Sequence, residues 1–144
     1  MTAKKPKNLD ECLEMLLADS DVIILIEWSE SDEDTATAEV HHGLGTSIRN
    51  KWNLWNPESE LSKYFKKIGI SHPDDMSGII FTSLHRKLND KDIGLEGQVK
   101  YYWKHWLKYN GQEVLPPSIE GVNKEYLELY EEFIKETGNG NKEG

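Results

Sequence analysis

The sequence predicts an all-α protein with six to seven short helices in one compact domain. Apolar residues recur at three- and four-residue spacings along most of the chain, and residues typical of helix starts precede these runs. The one strand candidate is the β-branched run at residues 22–26, and a lone strand would leave its backbone groups without partners. We therefore expect a short helix there, capped by Ser20, with a short strand near residues 22–26 as the alternative.

The first half of the chain contains two further predicted helices. Asn8 is placed to cap a helix over about residues 9–18. A second helix starts in the acidic run at residues 31–34, and its apolar residues follow at four-residue steps: Ala36, Val40, Leu44, Ile48 and Trp52. Gly43 and Gly45 interrupt that stripe, and each costs about 1 kcal/mol inside a helix. Either the helix breaks there, or another group approaches its backbone closely.

The second half of the chain has clearer helix starts. Pro57 and Pro73 each stand at the first position of an apolar-periodic segment, where proline is favoured. A further helix is predicted over about residues 95–109, followed by a proline-containing loop at 112–121. The last helix is amphipathic and is expected to end at Gly138.

The length of 144 residues is close to the commonest domain size. We expect a flexible tail at residues 1–8, one helical domain at 9–137 and a polar tail at 138–144. Cys12 is the single cysteine, so an internal disulfide is excluded and a reducing compartment is expected. No run approaches the roughly 20 apolar residues of a membrane span, and no hydrophobic region follows the N-terminal lysines. The predicted location is the cytoplasm.

The charge of the chain is negative and unevenly distributed. Seventeen basic and 26 acidic residues give a formal charge of −9, which disfavours bulk DNA binding. Residues 27–39 contain six acids and no base, and residues 113–136 contain seven acids and two bases. Residues 49–67 between them are locally basic. The acidic segments are candidate surfaces for a protein partner with a basic patch.

A central set of polar and aromatic residues is the candidate site: His41, His42, Arg49, Trp52, His72, Asp74, Asp75 and His85. Histidine can act as a base or a ligand, arginine can clamp a carboxylate or phosphate, and the aspartates can hold a cation. The alternative is structural, with aspartates capping a helix and Arg49 paired to Asp74 or Asp75 in a buried network. The sequence leaves ligand pocket and structural network both open.

Known catalytic and cofactor motifs are missing from the sequence. His41 and His42 are adjacent and cannot both face one ion from a regular helix, and no HExxH, Walker-type loop, dinucleotide-binding glycine loop or GxSxG is present. We therefore predict no metal site and no cofactor, and we assign no catalytic residue.

Three motifs in this region carry a resemblance to a known family. The first is His-His-Gly-Leu-Gly-x-x-Ile-Arg-Asn-x-Trp-x-Leu-Trp at 41–55. The second is Tyr-Phe-x-x-x-Gly-Ile at 64–70, followed after one residue by His-Pro-Asp-Asp-Met-Ser at 72–77, and the third is His-Arg-x-Leu-Asn at 85–89. Over about residues 38–108 the chain resembles an uncharacterised bacterial domain of unknown function. The resemblance implies a small, mostly helical bacterial domain and no particular activity.

Three functions are compatible with these observations. The preferred hypothesis is a non-catalytic protein-interaction domain that binds through its acidic segments, for example an immunity or antitoxin-like protein that neutralises a basic toxin. The alternative is a small ligand-binding domain or enzyme that uses the central polar cluster. A third is stacking of single-stranded nucleic acid on the basic and aromatic side of the helix at residues 100–109.

Overall fold

The computed structural model describes residues 5–110 and 122–142, with side chains for residues 5–106 and 122–136. These residues form eight α-helices and no strand, which confirms the all-α class and corrects the predicted count of six to seven. The helices are α1 (Leu9–Asp19), α2 (Val22–Ser29), α3 (Glu33–His41), α4 (Leu44–Lys51), α5 (Glu60–Lys67), α6 (Pro73–Leu88), α7 (Leu95–Asn110) and α8 (Lys124–Lys142).

The additional helix arises because the predicted helix breaks where Gly43 and Gly45 interrupt its apolar stripe, which gives α3 and α4. Gly43 has φ −86° and ψ −84°, outside the helical region, and it ends the run from α3. A close approach also occurs, because a Cβ on Gly45 would lie 2.9 Å from Nη1 of Arg49. Both effects that the two glycines suggested are therefore present, one at each glycine.

Residues 22–26 form a helix, so the strand alternative is wrong. The cap of α2 is Asp21 rather than Ser20: its carboxylate accepts hydrogen bonds from the backbone N–H groups of Ile23 and Ile24 at 2.8 and 3.3 Å. These bonds satisfy two of the donors that every helix start leaves without intrahelical partners.

The ends of the chain differ in part from the expectation. Asn8 caps α1 as predicted, accepting from the backbone N–H of Glu11 at 2.9 Å. Pro6 is buried, although it lies in the segment expected to be a loose tail. The last helix continues to Lys142 and does not end at Gly138, so residues 138–142 are helical. The predicted loop at 112–121 lies outside the described residues.

The chain groups into two compact units, and each is described by itself. The first contains residues up to Phe65 together with Ser71–Ile93. Its central element is α6, which contacts α1, α2, α3 and α4. The apolar residues that α6 buries are Met76, Ile79, Ile80, Phe81 and Leu84.

The second unit contains Lys66–Ile70 and the chain from Gly94 onward, including α7 and α8. Trp103 of α7 is its centre: the ring is buried, and its centroid lies 5.2 Å from that of Tyr130 and 5.5 Å from that of Phe133 on α8. Its indole N–H donates to the Gly69 carbonyl at 2.9 Å. The single domain over residues 9–137 stays a prediction. Within the described residues, no helix has the length and apolarity needed to cross a membrane.

Candidate functional site

Arg49 is the centre of the predicted polar cluster, and its side chain is only 6% exposed. Nη1 donates to the Ser77 hydroxyl at 2.8 Å, and Nη2 donates to the His41 carbonyl at 3.1 Å and to the Thr46 hydroxyl at 2.9 Å. Nε lies 3.4 Å from a carboxylate oxygen of Asp74. The guanidinium thus joins α3, α4 and the first turns of α6.

The His-Pro-Asp-Asp segment at residues 72–75 starts α6. His72 is the N-cap residue, and its Nδ1 accepts from the Asp74 backbone N–H at 3.0 Å. Asp74 and Asp75 lie in the first turn, where a carboxylate is favoured by the positive end of the helix dipole. The exposed Trp55 lies beside His72, with ring centroids 5.9 Å apart. The side chain that caps α6 is therefore that of His72, whereas the two aspartates lie in the first turn.

The two adjacent histidines contact each other, with ring centroids 5.0 Å apart. His41 approaches Arg49 through its backbone carbonyl. Trp52 is buried, and its indole nitrogen has no hydrogen-bond partner among the described residues. Because the donors of Arg49 are occupied by acceptors of the fold, the geometry around it favours a structural network over an open ligand site.

His85 lies apart from this network. Its Nε2 is 2.8 Å from the Ser31 carbonyl, and because a carbonyl only accepts, this nitrogen is the donor. The ring packs edge-on against Trp28 at a centroid distance of 5.2 Å. Asn89, one turn further along, donates to the Ser29 carbonyl at 3.0 Å. Both side chains hold the connection between α2 and α3 against α6.

Arg86, next to His85, makes an ion pair with Glu33 in the first turn of α3. Nε lies 2.6 Å and Nη2 lies 3.2 Å from the two carboxylate oxygens of Glu33. This hydrogen-bonded pair lowers the pKa of Glu33 and raises that of Arg86. The His-Arg-x-Leu-Asn motif thus positions α2 and α3, a role that the sequence did not suggest.

Helix α2 exposes a large apolar surface. Relative exposures are 65% for Val22, 64% for Ile23, 65% for Ile24 and 52% for Ile26. Leu25 is the one buried residue of α2. We call Val22, Ile23, Ile24 and Ile26 the α2 apolar patch. The sequence signal for it was present: the run is continuously apolar, whereas a short helix on a core needs one apolar side.

A groove of about 410 Å³ lies beside the α2 apolar patch. Five helices, α1, α2, α3, α4 and α6, line it together with the α1–α2 and α2–α3 connections. The lining residues are Leu16, Ser20, Ile24, Leu25, Glu27, Trp28, Ser31, Glu39, Val40, Leu44, Phe81 and Leu84. The lining is mainly apolar, and Glu27 and Glu39 supply its charge. None of the residues predicted as the site lies in this groove.

The carboxylates of the acidic segment at 27–39 fall into two groups, those that bind other groups of the fold and those that are exposed. Glu33 is paired with Arg86, and Asp32 caps α3, accepting from the hydroxyl and the backbone N–H of Thr35, which lowers the pKa of Asp32. Glu27, Glu30, Asp34 and Glu39 are exposed and form no ion pair with another described residue. The charge of these four carboxylates is therefore not neutralised by a cation of the described residues.

The candidate surfaces of the second unit lie on α7 and α8. Glu128, Glu131 and Glu132 are exposed, and a hydrogen bond with Glu96 raises the pKa of Glu125. Tyr101 is 64% exposed and stacks on His105 at a centroid distance of 6.4 Å. The side chains of Lys108 and Tyr109, which belonged to the predicted nucleic-acid surface, lie outside the described residues.

Comparison with known proteins gives one match. A family model described as a domain of unknown function, DUF6794, matches residues 5–88. This span includes the motifs at 41–55 and 72–77, begins earlier than the resemblance at 38–108, and leaves 89–108 outside. No curated protein and no solved structure matches the chain.

Proposed function

The chain belongs to the family of DUF6794, a domain of unknown function, and we propose that it is a non-catalytic protein-interaction domain that binds through the α2 apolar patch. The family implies no activity, so the proposal rests on the residues of this chain. The observation that carries it is the exposure of Val22, Ile23, Ile24 and Ile26, each more than half exposed on one short helix.

The exposure of four neighbouring branched side chains is costly unless a partner covers them. Full burial of one Val or Ile side chain contributes about 1.5 to 3 kcal/mol. Single exposed apolar residues are ordinary on protein surfaces, whereas a contiguous group marks an interaction site. A partner that covers the α2 apolar patch gains this free energy without any change in the fold of the domain.

The surroundings of the α2 apolar patch define the chemistry of the partner. Glu27, Glu30, Asp34 and Glu39 are exposed carboxylates close in sequence to the patch. A complementary partner surface has apolar side chains bordered by lysine or arginine, and its association is accelerated by charge and weakened by salt. A basic toxin neutralised in the bacterial cytoplasm is one version of this partner.

The position of α2 is held before any partner binds. The indole N–H of Trp28 donates to the Ala36 carbonyl at 2.8 Å, and His85 and Asn89 bind the backbone on the C-terminal side of α2. Since little conformational entropy remains to be lost in α2, binding free energy is not spent on ordering the surface.

The proposal is tested with a designed helical peptide that has leucine on one side and lysine on the other. Its affinity for the full chain is measured by fluorescence anisotropy at low and moderate salt. We expect the triple variant Val22→Gln, Ile23→Gln, Ile26→Gln to bind at least about tenfold more weakly, equivalent to 1.4 kcal/mol. These side chains are exposed, so the variant is expected to keep the stability of the native chain.

A matched pair of charge variants separates local from general electrostatics. The first triple variant removes three charges close in sequence to the α2 apolar patch: Glu27→Gln, Glu30→Gln and Asp34→Asn. The second removes three charges from α8: Glu128→Gln, Glu131→Gln and Glu132→Gln. We expect the first to weaken peptide binding and the second to leave it within about twofold. Equal effects of the two variants, or equal binding of a scrambled peptide of the same composition, contradict the proposal.

A further inference from the structure

We infer that the groove beside α2 is an anchor site for one arginine or lysine side chain of the partner protein. This inference rests on the proposed function and adds the chemistry of the contact at its centre. The groove would bind the aliphatic stem of the side chain on its apolar lining and the cationic end at Glu27 and Glu39.

The size and lining of the groove suit a long aliphatic stem. Its volume of about 410 Å³ is within the range of about 300 to 1,000 Å³ that is typical of binding pockets. Leu25, Phe81 and Leu84 are buried residues of the lining, and Val40 is partly exposed. Lysine and arginine pack their methylene groups along such surfaces and keep the charged end at the solvent boundary.

The charges of the groove select against other side chains. Glu27 comes from α2 and Glu39 from α3, and neither makes an ion pair with a described residue. A carboxylate ligand would be repelled by both, and an uncharged ligand would gain no charge attraction from them. A guanidinium binds carboxylates through directed, charge-assisted hydrogen bonds, so arginine suits the site best.

The ring of Trp28 adds a further preference for a cation. Trp28 lines the groove and is only partly buried. Its indole N–H is occupied by the Ala36 carbonyl, and its ring makes edge-to-face contacts with those of His85 and Phe81, so the ring is held in place. Cations are attracted to the face of an indole ring within about 6 Å. The groove therefore combines an apolar wall, an aromatic ring and two carboxylates that form no ion pair within the described residues.

The test uses three small probes with the same six-carbon chain: hexylguanidinium, hexanol and hexanoate. Binding to the full chain is followed by the indole N–H resonance of Trp28 and the amide resonances of Val40 and Leu44. We expect saturable shifts with hexylguanidinium, at least about tenfold weaker binding of hexanol and no binding of hexanoate. Glu27→Gln combined with Glu39→Gln is expected to reduce hexylguanidinium affinity at least about fivefold.

Two variants distinguish the anchor site from the α2 apolar patch. Ile23→Gln changes the patch but not the lining of the groove, and it should weaken the leucine–lysine peptide while leaving hexylguanidinium unchanged. Leu44→Trp narrows the groove at an exposed position and should weaken both probes. Urea unfolding checks that each variant is folded. If Leu44→Trp is not folded, the variant Glu39→Gln is used in its place.

The possible failures are separable. Peptide binding to the native chain without any hexylguanidinium shift overturns the anchor site and leaves the proposed function standing. Hexylguanidinium shifts without peptide binding overturn both the proposed function and the anchor role. Equal affinity for hexanol and hexylguanidinium, or an unchanged affinity in the Glu27 and Glu39 variant, overturns the selection for a cation.

Discussion

Substitution of Arg49 by methionine decides whether the central polar cluster is a structural network. Methionine keeps much of the apolar stem of arginine and removes every hydrogen-bond donor. Arg49→Met therefore leaves the Ser77 hydroxyl, the His41 carbonyl and the Thr46 hydroxyl without their shared donor.

The expected cost follows from the burial of these partners. Asp74 is 45% exposed and Thr46 is also exposed, so water can replace Arg49 at both and we count neither. Ser77 is buried and the His41 carbonyl is partly buried, and a hydrogen bond to a charged donor contributes about 1.5 to 3 kcal/mol. Two such bonds at the lower end of the range give a loss of about 3 kcal/mol, a large part of a typical folding free energy of 5 to 15 kcal/mol.

The loss is measured by urea unfolding, followed by circular dichroism of the helices. Lys51→Met on the same helix is the control, because Lys51 is exposed and its replacement should change stability by less than about 0.5 kcal/mol. A loss below about 1 kcal/mol for Arg49→Met, with an unchanged denaturant slope, would refute the structural assignment. Such a result would return Arg49 to the candidate binding residues.

Three further outcomes follow from individual contacts. Gly69 has φ +88° and its Cβ would lie 2.7 Å from Trp103, so Gly69→Ala should destabilise the second unit by about 2 kcal/mol or more in urea unfolding, and an unchanged midpoint would contradict this. Arg86 lowers the pKa of Glu33 below its ordinary value of 4.5. The ion pair therefore makes its full contribution to the free energy of unfolding above pH 4.5, and this contribution is lost as the pH falls through the lowered pKa. Unfolding at several pH values should show this loss, under about 1 kcal/mol, in the native chain but not in Glu33→Gln. Cys12 is fully buried and burial raises its pKa, so a thiol reagent at mildly alkaline pH should label the unfolded chain and not the folded one; rapid labelling of the folded chain would show that α1 opens.

The starts of several helices could be predicted because they depend on neighbouring residues. Asn8 caps α1 through the backbone of Glu11, and His72-Pro73 starts α6, both within one helical turn. The cap of α2 was misplaced by one residue because Ser20 and Asp21 are both good caps, and the apolar run after them does not distinguish the two registers. Local chemistry thus determines where a helix can start more firmly than which of two adjacent caps is used.

The candidate site was predicted only in part. Arg49, Asp74 and the backbone of His41 do come together, as the pairing alternative suggested. His85 does not join them, since it binds Ser31, 54 residues away in sequence. The groove was not predicted, because its lining comes from five helices and from the α1–α2 and α2–α3 connections, and no sequence spacing links them.

The sequence by itself determined the helical class, most helix positions and the excess of acidic residues on both sides of a basic middle. These properties depend on periodicity, capping and composition, which are local or additive along the chain. Only the tertiary structure decided that the guanidinium of Arg49 hydrogen-bonds to groups of the fold itself. It also decided that α2 exposes an apolar patch. Those outcomes depend on which distant segments meet. Phe81 and His85 of α6 pack against Trp28 of α2, and the α2 apolar patch remains exposed.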